Sequence, residues 1–369
     1  MQNIDKNYDS NEVEALKEAG IDLESGKKTY LLTGEKEDLS EKKPEENFVF
    51  LPIKKALKKY PFIKEKYMWK LVSPDKDEYT KAVKDDMEGG YFIWLKKDHK
   101  EILPLQACFY IKEAYHKQKV HNLIILEENS ELHIINGCIS GTEAESAKHY
   151  GITEVYVGKK ATLSYSMVHN WNESTEVYPR SAIQVEEKGK FISNYIALKQ
   201  TKIVQSYPTV YLKRKAKASL NSIIFSHQGS VYDVGGRAIL EEEGAKAEIM
   251  SRSVSKGGKI IARAHIFSKV DGTFGHVECS SLMLNKEGKV HAIPELESNA
   301  KDVVLSHEAM IGKIAEEEVH YLMSRGISEE EAVSLIVRGF LNIDIKDLPG
   351  IIRDQIQETI NLLETNNAL

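Results

Sequence analysis

Between residues 116 and 305 the chain repeats a short pattern, in which an apolar residue is followed by three or four charged or small residues and then by a second apolar segment. The pattern starts at six positions: Leu126 (LEENSEL), Val157 (VGKKATL), Val185 (VEEKGKF), Leu212 (LKRKAKA), Leu240 (LEEEGAK) and Leu284 (LNKEGKV). Successive copies lie 31, 28, 27, 28 and 44 residues apart. The long last interval predicts one degenerate copy around residues 269–273.

A period near 28 residues, built from strands, predicts a mainly β chain with a β-solenoid core. Each turn of a solenoid leaves an apolar face that only the next turn can cover, so the turns must stack. A β-sandwich of evenly spaced strands is the alternative. The nearly constant spacing of four successive copies favours the solenoid.

The N-terminal region, residues 1–115, is predicted to be mixed and mostly helical. Residues 11–19 form a short amphipathic stretch, and residues 51–70 have apolar positions at helical spacing. Residues 91–95 have the pattern of a strand. The charge run at residues 35–46 lacks an apolar period, which is typical of a solvated loop.

The C-terminal region, residues 306–369, is predicted to be a helical domain. Residues 311–324 have helical spacing, and Gly326 is a suitable terminator. Ser328 and Glu331 have the spacing of a capping box. The helix that this box opens is expected to bury Ala332, Leu335, Ile336 and Phe340. A further helix is predicted from Leu348 and Pro349, with an apolar stripe at Ile351, Ile352, Ile356, Ile360 and Leu363.

Composition excludes several classes of protein. The chain has 369 residues, of which 41% are hydrophobic and 29% charged, with a formal net charge of -6. No basic field is available for nucleic acid. No apolar run reaches the roughly 18 residues of a membrane span, and we expect neither a membrane segment nor a signal peptide. The three cysteines include no CxxC pair, so a reducing cytoplasm is expected.

Cys279 is the strongest candidate for chemistry. His307 lies 28 residues further on, which is the repeat spacing, so stacked turns would place the two side chains one above the other. Glu297 and Glu308 are nearby in sequence. A thiolate and an imidazole together suit zinc, copper or iron, and thiolates especially suit iron–sulfur chemistry. A buried, inert cysteine and a hydrogen-bonded histidine are the alternatives for each residue taken alone.

The other cysteines are weaker candidates. Cys138 is a possible second thiol within the same core, although a small buried residue in a strand is the simpler interpretation. Cys108 has no polar company and is assigned to packing. The chain has no GxxxxGK[ST] motif, so it is not expected to hydrolyse nucleotide itself. It has no HExxH motif either.

Several motifs resemble the B/D scaffold proteins of the SUF iron–sulfur assembly system, known as SufB and SufD. The most specific are SHEA at residues 306–309, GKI at 312–314 and SRGISEEEA at 324–332. Weaker matches are INGC at 135–138 and VHNW at 168–171. The motif ECSS at 278–281 is followed by Pro294 and Glu297.

This resemblance implies a right-handed parallel β-helix with a small N-terminal domain and a C-terminal helical domain. The helical domain would dock a SufC-like ABC-type ATPase, and ATP would act only through that partner. The expected contact residues are Arg325, Gly326, Ile327, Ser328 and Glu331. Transient iron–sulfur clusters would assemble where two β-helices pair, with a sulfur donor and apo-protein recipients as further partners.

Residue by residue, the resemblance implies roles for five positions. Cys279 matches the cysteine that B-type members use for cluster assembly, and His307 matches a histidine of both types. Glu308 and Glu297 match B-type glutamates. Cys138 matches a B-type cysteine linked to sulfur transfer through the helix.

The chain also departs from both types of the family. Ser306 stands where B-type proteins usually have Glu, as in D-type proteins, whereas D-type proteins lack the equivalents of Cys279 and Glu308. We therefore expect a hybrid scaffold that pairs with a second copy of itself, a paralogue being the other possible partner. A D-like structural subunit that regulates the ATPase without binding a cluster is the alternative. A carbohydrate-active β-helix ranks lower, because no acidic cluster is evident.

Overall fold

A computed structural model describes residues 8–25, 27–34, 36–40 and 45–341. The described part contains six helices: α1 (Ser10–Glu18), α2 (Ile53–Lys59), α3 (Phe62–Lys66), α4 (Glu78–Asp85), α5 (Glu316–Ser324) and α6 (Glu329–Leu341). Its strands are β1 (Thr29–Thr33), β2 (Lys36–Ser40), β3 (Phe48–Pro52), β4 (Tyr91–Leu95), β5 (Leu105–Ile111), β6 (Lys117–Leu126), β7 (Glu131–Ser140), β8 (Lys148–Val157), β9 (Thr162–Asn170), β10 (Glu176–Val177), β11 (Arg180–Val185), β12 (Lys190–Ala197), β13 (Ile203–Ser206), β14 (Thr209–Leu212), β15 (Lys217–His227), β16 (Val231–Leu240), β17 (Lys246–Lys256), β18 (Lys259–Ser268), β19 (Thr273–Met283), β20 (Lys289–Ser298) and β21 (Val303–Gly312).

The strands form two sheets that enclose one core, and successive strands along the solenoid alternate between them. Sheet A has the order β2-β1-β5-β7-β9-β12-β15-β17-β19-β21. Sheet B runs from β3 through β4, β6, β8, β11, β14 and β16, and continues through β18 to β20. Neighbouring turns pair in parallel, and antiparallel pairs occur at β1–β2 and β3–β4. The predicted mainly β solenoid is confirmed, with about eight turns.

Alternation of side chains explains why the sheets pack on each other. In β18, the inward residues Ile260, Ala262, Ala264 and Ile266 are buried. The intervening residues, such as Arg263 and His265, lie on the outer face. Because side chains in a strand alternate between faces, each turn contributes an apolar row to the interior and a more polar row to the outside.

The repeated pattern marks the corner where the chain passes from sheet B to sheet A. Its apolar residues are in register from turn to turn: Leu126, Val157, Val185, Leu212 and Leu240. Ser268 and then Ser298 continue this row, so the degenerate copy predicted near residue 269 is confirmed. Leu284 was wrongly included, because it follows β19 and lies at the opposite corner, where the chain also needs a polar turn.

Each of these corners contains one residue whose backbone has a left-handed conformation, and this explains why small and charged residues occur there. Asn129, Lys160, Lys188 and Lys215 each lie three positions after the corner residue and have φ between 55° and 58°. The two following corners are one residue longer and use Gly244 and Gly272, both with φ of 75°. The turn therefore requires the left-handed region, which Asn and Gly adopt at lowest cost.

The solenoid extends beyond the predicted core at both ends. β4 and β5 pair in parallel with β6 and β7, so the region before residue 116 contains five strands and is not mostly helical. At the other end β21 continues to Gly312, and α5 begins only at Glu316. The helix predicted over residues 311–324 is confirmed from Glu316 to Ser324, but its predicted start is wrong, because residues 311 and 312 still belong to β21. The last coil is open to solvent, so its inward residues are exposed and the alternation of the strand is hidden in the sequence. The division into three domains stays a prediction.

Two helices cover the outer face of sheet A. α1 leads into Ala19, whose carbonyl oxygen would lie 2.8 Å from a Cβ at Gly137, so the glycine permits this close approach. α6 packs Val337 and Leu341 onto the sheet. The predicted burial of Ala332 is confirmed, but Leu335 is exposed. Ile336 and Phe340 are half-buried.

Other expectations for the flanking regions have mixed outcomes. The predicted loop at residues 35–46 is partly wrong, because β2 pairs with β1 within it. Pro61 separates α2 from α3 in the predicted helical stretch of residues 51–70. The helix predicted from Leu348 and its apolar stripe lie outside the described residues. Within the described part of the chain, none of the helices has the length and apolar character needed to cross a membrane.

Candidate functional site

Cys279 lies on β19 with its side chain directed into the solenoid. It is 1% exposed and is paired in register with Ser251 on one side and Ala309 on the other. Burial raises the pKa of the Cys279 thiol to about 11, and the nearby Glu278 carboxylate adds to the effect. The thiol is therefore protonated near neutral pH, and a metal that bound there would have to displace its proton.

His307 lies on the neighbouring strand, β21, at a position that faces the interior side of sheet A, as Cys279 does. It is in register with Val277, because the two strands are offset by 30 residues and not by 28. His307 is therefore a diagonal neighbour of Cys279 on the same face, one pleat away. It is exposed because β21 is the last described strand of sheet A.

Glu308 lies on the opposite face of β21, beside Glu278 on the outside of sheet A. Glu278 forms an ion pair with Arg252, with 2.6 Å between Oε1 and Nη2. The Arg252 guanidinium also lies 5.6 Å from the centre of the Phe340 ring on α6. This outer cluster connects the strand that carries Cys279 to the C-terminal helix.

Glu297 is not close to these residues within one chain. It lies on β20, in register with Phe267 and on the outer face of sheet B. Its carboxylate is 3.3 Å from Nε2 of His265. A single chain therefore brings together Cys279 and His307, with Glu308 behind them, but leaves Glu297 on the other sheet.

Cys138 lies further along the same interior. It is buried, and its Sγ is 3.2 Å from Nδ2 of Asn136. The Tyr91 hydroxyl donates to Oδ1 of Asn136 at 3.2 Å. Burial raises the pKa of the Cys138 thiol well above its ordinary value. Cys108 instead packs against α1 on the outside of sheet A, as expected for a packing residue.

One inward row connects the surroundings of the two interior thiols. Strand register aligns Asn136, Met167, Tyr195, Ser222, Ser251 and Cys279. A cavity of about 70 Å³ lies beside this row and is lined by Met167, Tyr195, Ser222 and Ser251. Sequence reasoning missed these lining residues. Alignment of the turns on their left-handed corner residues, Lys188, Lys215, Gly244 and Gly272, would have placed the tyrosine and the two serines in one column with Cys279.

The last turn exposes two strand edges. In the described part of the chain, β20 and β21 each pair with a strand on only one side. Three apolar side chains of β21 are exposed: Val304 (57%), Met310 (49%) and Ile311 (44%). Unpaired edges with exposed apolar residues are typical of surfaces that another strand covers.

The predicted contact residues of the helical region lie at the α5–α6 turn. Gly326 has φ of 90°, and the Ser328 hydroxyl accepts from the Glu331 amide at 3.3 Å. Glu331 accepts from the Ser328 amide at 3.1 Å, which confirms the capping box. Arg325 stacks on the exposed Tyr321 ring. Arg325, Gly326, Ser328 and Glu331 are exposed, and Ile327 is half-buried.

A second group of potential metal ligands has a different explanation. Donor atoms of Glu45, His99 and Glu101 lie within 4.8 Å of one another. The Lys28 ammonium, however, lies 2.8 Å from Glu45 and 2.6 Å from Glu101. The lysine forms an ion pair with each of the two carboxylates, so the group is a half-buried ion-pair network at the N-terminal end.

Comparison with known proteins decides the family. Residues 109–340 match the model described as SUF system FeS cluster assembly, SufBD core domain. This chain belongs to the SufBD family. The SufBD match includes Cys138, Cys279, His307 and Glu308, together with α5 and nearly all of α6.

Curated relatives agree with this assignment. An iron-sulfur cluster assembly SufBD family protein of Archaeoglobus fulgidus is 47% identical over 352 residues, which is 95% of each chain. One from Methanothermobacter thermautotrophicus is 47% identical over 301 residues, covering 80% of this chain and 73% of the relative. A third, from Pyrococcus horikoshii, is 33% identical over 315 residues, covering 85% and 71%.

Proposed function

We propose that this SufBD family chain is a scaffold on which iron–sulfur clusters are assembled and from which they are transferred. The observation that carries the proposal is the position of Cys279 and His307 as diagonal neighbours on one face at the open end of the solenoid. A soft thiolate and an imidazole suit iron, and a small ligand set from one chain leaves positions for sulfide. The cluster is the cargo of this protein, and no catalytic residue is assigned.

The scaffold acts as a homodimer in this proposal. The unpaired edges of β20 and β21 lie next to His307, so a two-fold contact there would bring two copies of Cys279 and His307 to one interface. Glu308 on β21 and Glu297 on β20 both lie on the last turn. A second chain is thus the means by which Glu297, remote within one chain, would join the site.

A SufC-like ABC-type ATPase is the proposed energy source, and it would dock on α5 and α6. Tyr321, Met323 and Leu335 expose apolar surface there. The contacts of Arg252 with Phe340 and Glu278 offer a physical link from this surface to β19. Movement of α6 would therefore act on the strand that carries Cys279, which is a hypothesis of two-state coupling.

Sulfur reaches the site through the interior in this proposal. Cys138 and Cys279 lie on β7 and β19, which are five strand spacings apart, or about 24 Å at ~4.8 Å per step. Direct transfer between the thiols is therefore excluded, and a sulfur species must travel along the cavity. The free thiols of all three cysteines suit a reducing compartment, and we infer a cytoplasmic location.

Anaerobic reconstitution with iron and sulfide tests the scaffold. The wild-type protein should develop a thiolate-to-iron absorption band, and Cys279→Ser should lose most of it. Cys108→Ser is the matched control, because Cys108 is equally buried but packs against α1. A full band in Cys279→Ser would rule out this ligand assignment.

A D-like structural role is the second candidate. Its support is the burial of Cys279, which is 1% exposed and has a raised pKa, as an inert packing cysteine would have. In that case wild-type protein would stimulate or inhibit the ATPase but would bind no iron under any reconstitution condition. Iron analysis of the purified complex separates the two candidates.

A further inference from the structure

Sheet B is interrupted beside the interior cavity. Tyr178 and Pro179 separate β10 from β11, and Tyr207 and Pro208 separate β13 from β14 in the next turn. The register places Pro179 level with Ser206 and Ser181 level with Pro208. Proline has no backbone N–H, so neither position can donate to the ladder.

The cavity reaches this interruption. Its lining includes Pro179, Ser181, Ser206 and Pro208, and it also includes Arg263, whose side chain is 37% exposed on the outer face. The cavity is not fully enclosed. Gly235 lies at the same level, where a Cβ would come within 1.7 Å of the Arg263 carbonyl oxygen. We call this opening, bounded by Pro179, Ser206, Pro208 and Gly235, the sheet B window.

Cations are concentrated at the outer side of the window. Arg180 is paired with Asp77 at 2.5 Å, and Arg263 is paired with Asp233 by two hydrogen bonds of 2.5 and 3.1 Å. Arg237 differs, because its Nε is buried and has no hydrogen-bond partner among the described residues.

Tyr207 and Lys76 report on the charges at the outer side of the window, which we call the mouth. Burial raises the pKa of Tyr207 to about 12, and charges of Glu295, Arg237, Arg263 and Asp233 also act on it. The pKa of Lys76 is lowered, first by burial and then by the nearby Arg180. The mouth thus combines four cations with three carboxylates, and the buried Nε of Arg237 has no hydrogen-bond partner among the described residues.

We propose that the sheet B window binds and admits a small anion, namely hydrosulfide, which reaches Cys279 through the cavity without passing Cys138. The inference rests on the proposed function for its ligand, because a cluster scaffold needs sulfide. The cavity volume of about 70 Å³ has room for a species of a few heavy atoms. Hydroxyl groups of Ser222 and Ser251 line the way and can donate to an anion, whereas the Tyr195 hydroxyl is already bonded to Nδ1 of His169 at 2.9 Å.

The position of the window supports a separate route. The cavity lining ends at Ile249 and Ser251, and Ser251 is the direct register neighbour of Cys279. A cationic mouth raises the local concentration of small anions and their rate of arrival. Sulfide entering here travels only the last part of the distance that separates the two thiols.

The first test uses bromide, a monovalent anion of similar size, soaked into crystals of the full chain. An anomalous peak is expected at the window in wild-type protein and should be lost in Arg237→Gln. Arg214→Gln is the matched control, because Arg214 lies at a distant corner after β14, and it should keep the peak. Absence of the peak in wild-type protein, or its persistence in Arg237→Gln, would overturn the site.

The second test measures the rate of cluster formation at limiting sulfide. Ser206→Trp places a bulky ring in the window and should slow the reaction by at least about fivefold, since steered access is lost. Glu248→Trp, an exposed position on the outside of sheet A, is the control and should not change the rate. An unchanged rate in Ser206→Trp would show that sulfide arrives by another route.

The two tests separate failure of this inference from failure of the proposed function. Bromide binding is measured on crystals and needs no cluster, so it stands even if no cluster forms. Suppose that wild-type protein forms no cluster, that it binds bromide at the window, and that Arg237→Gln does not bind bromide. In that case the scaffold proposal fails and the window remains an anion site. The crystals also show directly whether each variant is folded.

Discussion

At the scale of single residues, the two inward candidate ligands, Cys279 and His307, differ in how they could accept a metal. Cys279 is buried with its proton held, because burial disfavours the thiolate and the Glu278 carboxylate opposes a second negative charge. His307 is exposed on the last strand. Loading of this site is therefore expected to begin at the accessible imidazole and to be completed by loss of the thiol proton.

This difference predicts a pH dependence of metal binding. Because the pKa of Cys279 is about 11, binding of one metal ion releases one proton at any pH below that value. Apparent affinity for cobalt(II) should rise by about tenfold for each pH unit between 7.5 and 9. Anaerobic titration, followed by the sulfur-to-cobalt absorption band, measures this slope.

Cys279→Ser is the control for that slope. Serine cannot supply a thiolate, so the charge-transfer band should disappear and the affinity should be weak and nearly independent of pH. A wild-type affinity that does not change with pH would mean that the thiol is either already ionised or not a ligand.

Residue types could be predicted from the sequence, but their register could not. The choice of Cys279 and His307 followed from the scarcity of cysteine, with three in the chain, and from a separation of 28 residues, which is one period. Their actual offset depends on the lengths of two corners, and the turn between β19 and β21 is longer than the average repeat. The hydroxyl groups of Tyr195, Ser222 and Ser251 carry no individual signal, because their common row exists only after the turns stack.

At the scale of elements, one buried carboxylate holds the loop before α4. Glu154 on β8 accepts backbone amides from Trp69, Lys70 and Leu71 at 2.5, 2.7 and 2.7 Å. It also lies 2.9 Å from Nε2 of His121. Trp69 has φ of 60°, a conformation that is unfavourable for a tryptophan and persists because these bonds fix the loop.

Glu154→Gln is predicted to destabilise the fold strongly. One of the two acceptor oxygens becomes an NH₂ group that faces backbone N–H donors, and the charge that strengthens the other bonds is lost. The free energy of unfolding should fall by about 3 kcal/mol. Urea unfolding of the variant measures this change.

Glu187→Gln provides the comparison, because Glu187 forms only a surface ion pair with Lys159 at 3.5 Å. Its effect should stay below about 1 kcal/mol. Equal stability of Glu154→Gln and wild-type protein would mean that the loop does not depend on this carboxylate.

Strands and helices could be predicted from the sequence where a pattern of residues has a single physical cause. The corner repeat reflects a left-handed turn that recurs in every coil, and it predicted the solenoid correctly. β21 was misread because two effects overlap: inward residues of the final coil are exposed, and the helical motif begins a few residues later. Leu284 was misassigned because both corners of a coil carry polar turns.

At the scale of the whole molecule, the interior contains polar groups that must stay uncharged. His149 and His169 are buried within the solenoid, and burial lowers the pKa of each to about 3. Their partners are neutral: Gln118 for His149 and Tyr195 for His169, both at 2.9 Å. Both imidazoles become protonated in the unfolded chain near pH 6.5.

Stability is therefore expected to fall as the pH decreases. A lowered pKa in the folded state contributes stability above pH 6.5, and this contribution is lost progressively toward pH 3. Between pH 7 and pH 5, the loss should be about 2 kcal/mol for each histidine. Urea unfolding at both pH values measures the sum.

His149→Phe should remove about half of this difference, whatever its effect on stability at pH 7. Phenylalanine suits the position because Phe109 and Trp171 already lie beside the imidazole. An identical pH difference in the variant and in wild-type protein would exclude His149 as a source of acid sensitivity.

The open end of the solenoid is the surface on which the proposed dimer would form. A parallel solenoid needs a cover for its last coil, and in the described chain β20 and β21 have no neighbour on one side. Two copies related by a two-fold axis would cover both edges at once and would place Cys279 and His307 of each copy at the contact. The dimer and the cluster site are therefore expected to fail together.

Replacement of Val304 and Ile311 by Asp should weaken the dimer, since each places a charge on an exposed apolar position of the edge. A loss of about 2 kcal/mol, or roughly thirtyfold in Kd, is expected. Analytical ultracentrifugation measures it, and the reconstituted iron–sulfur band should decrease in parallel. Ile102→Asp, which is 80% exposed at the other end, should change neither quantity. If wild-type protein remained monomeric at micromolar concentration and still developed its full iron–sulfur band, cluster assembly would not depend on dimerisation.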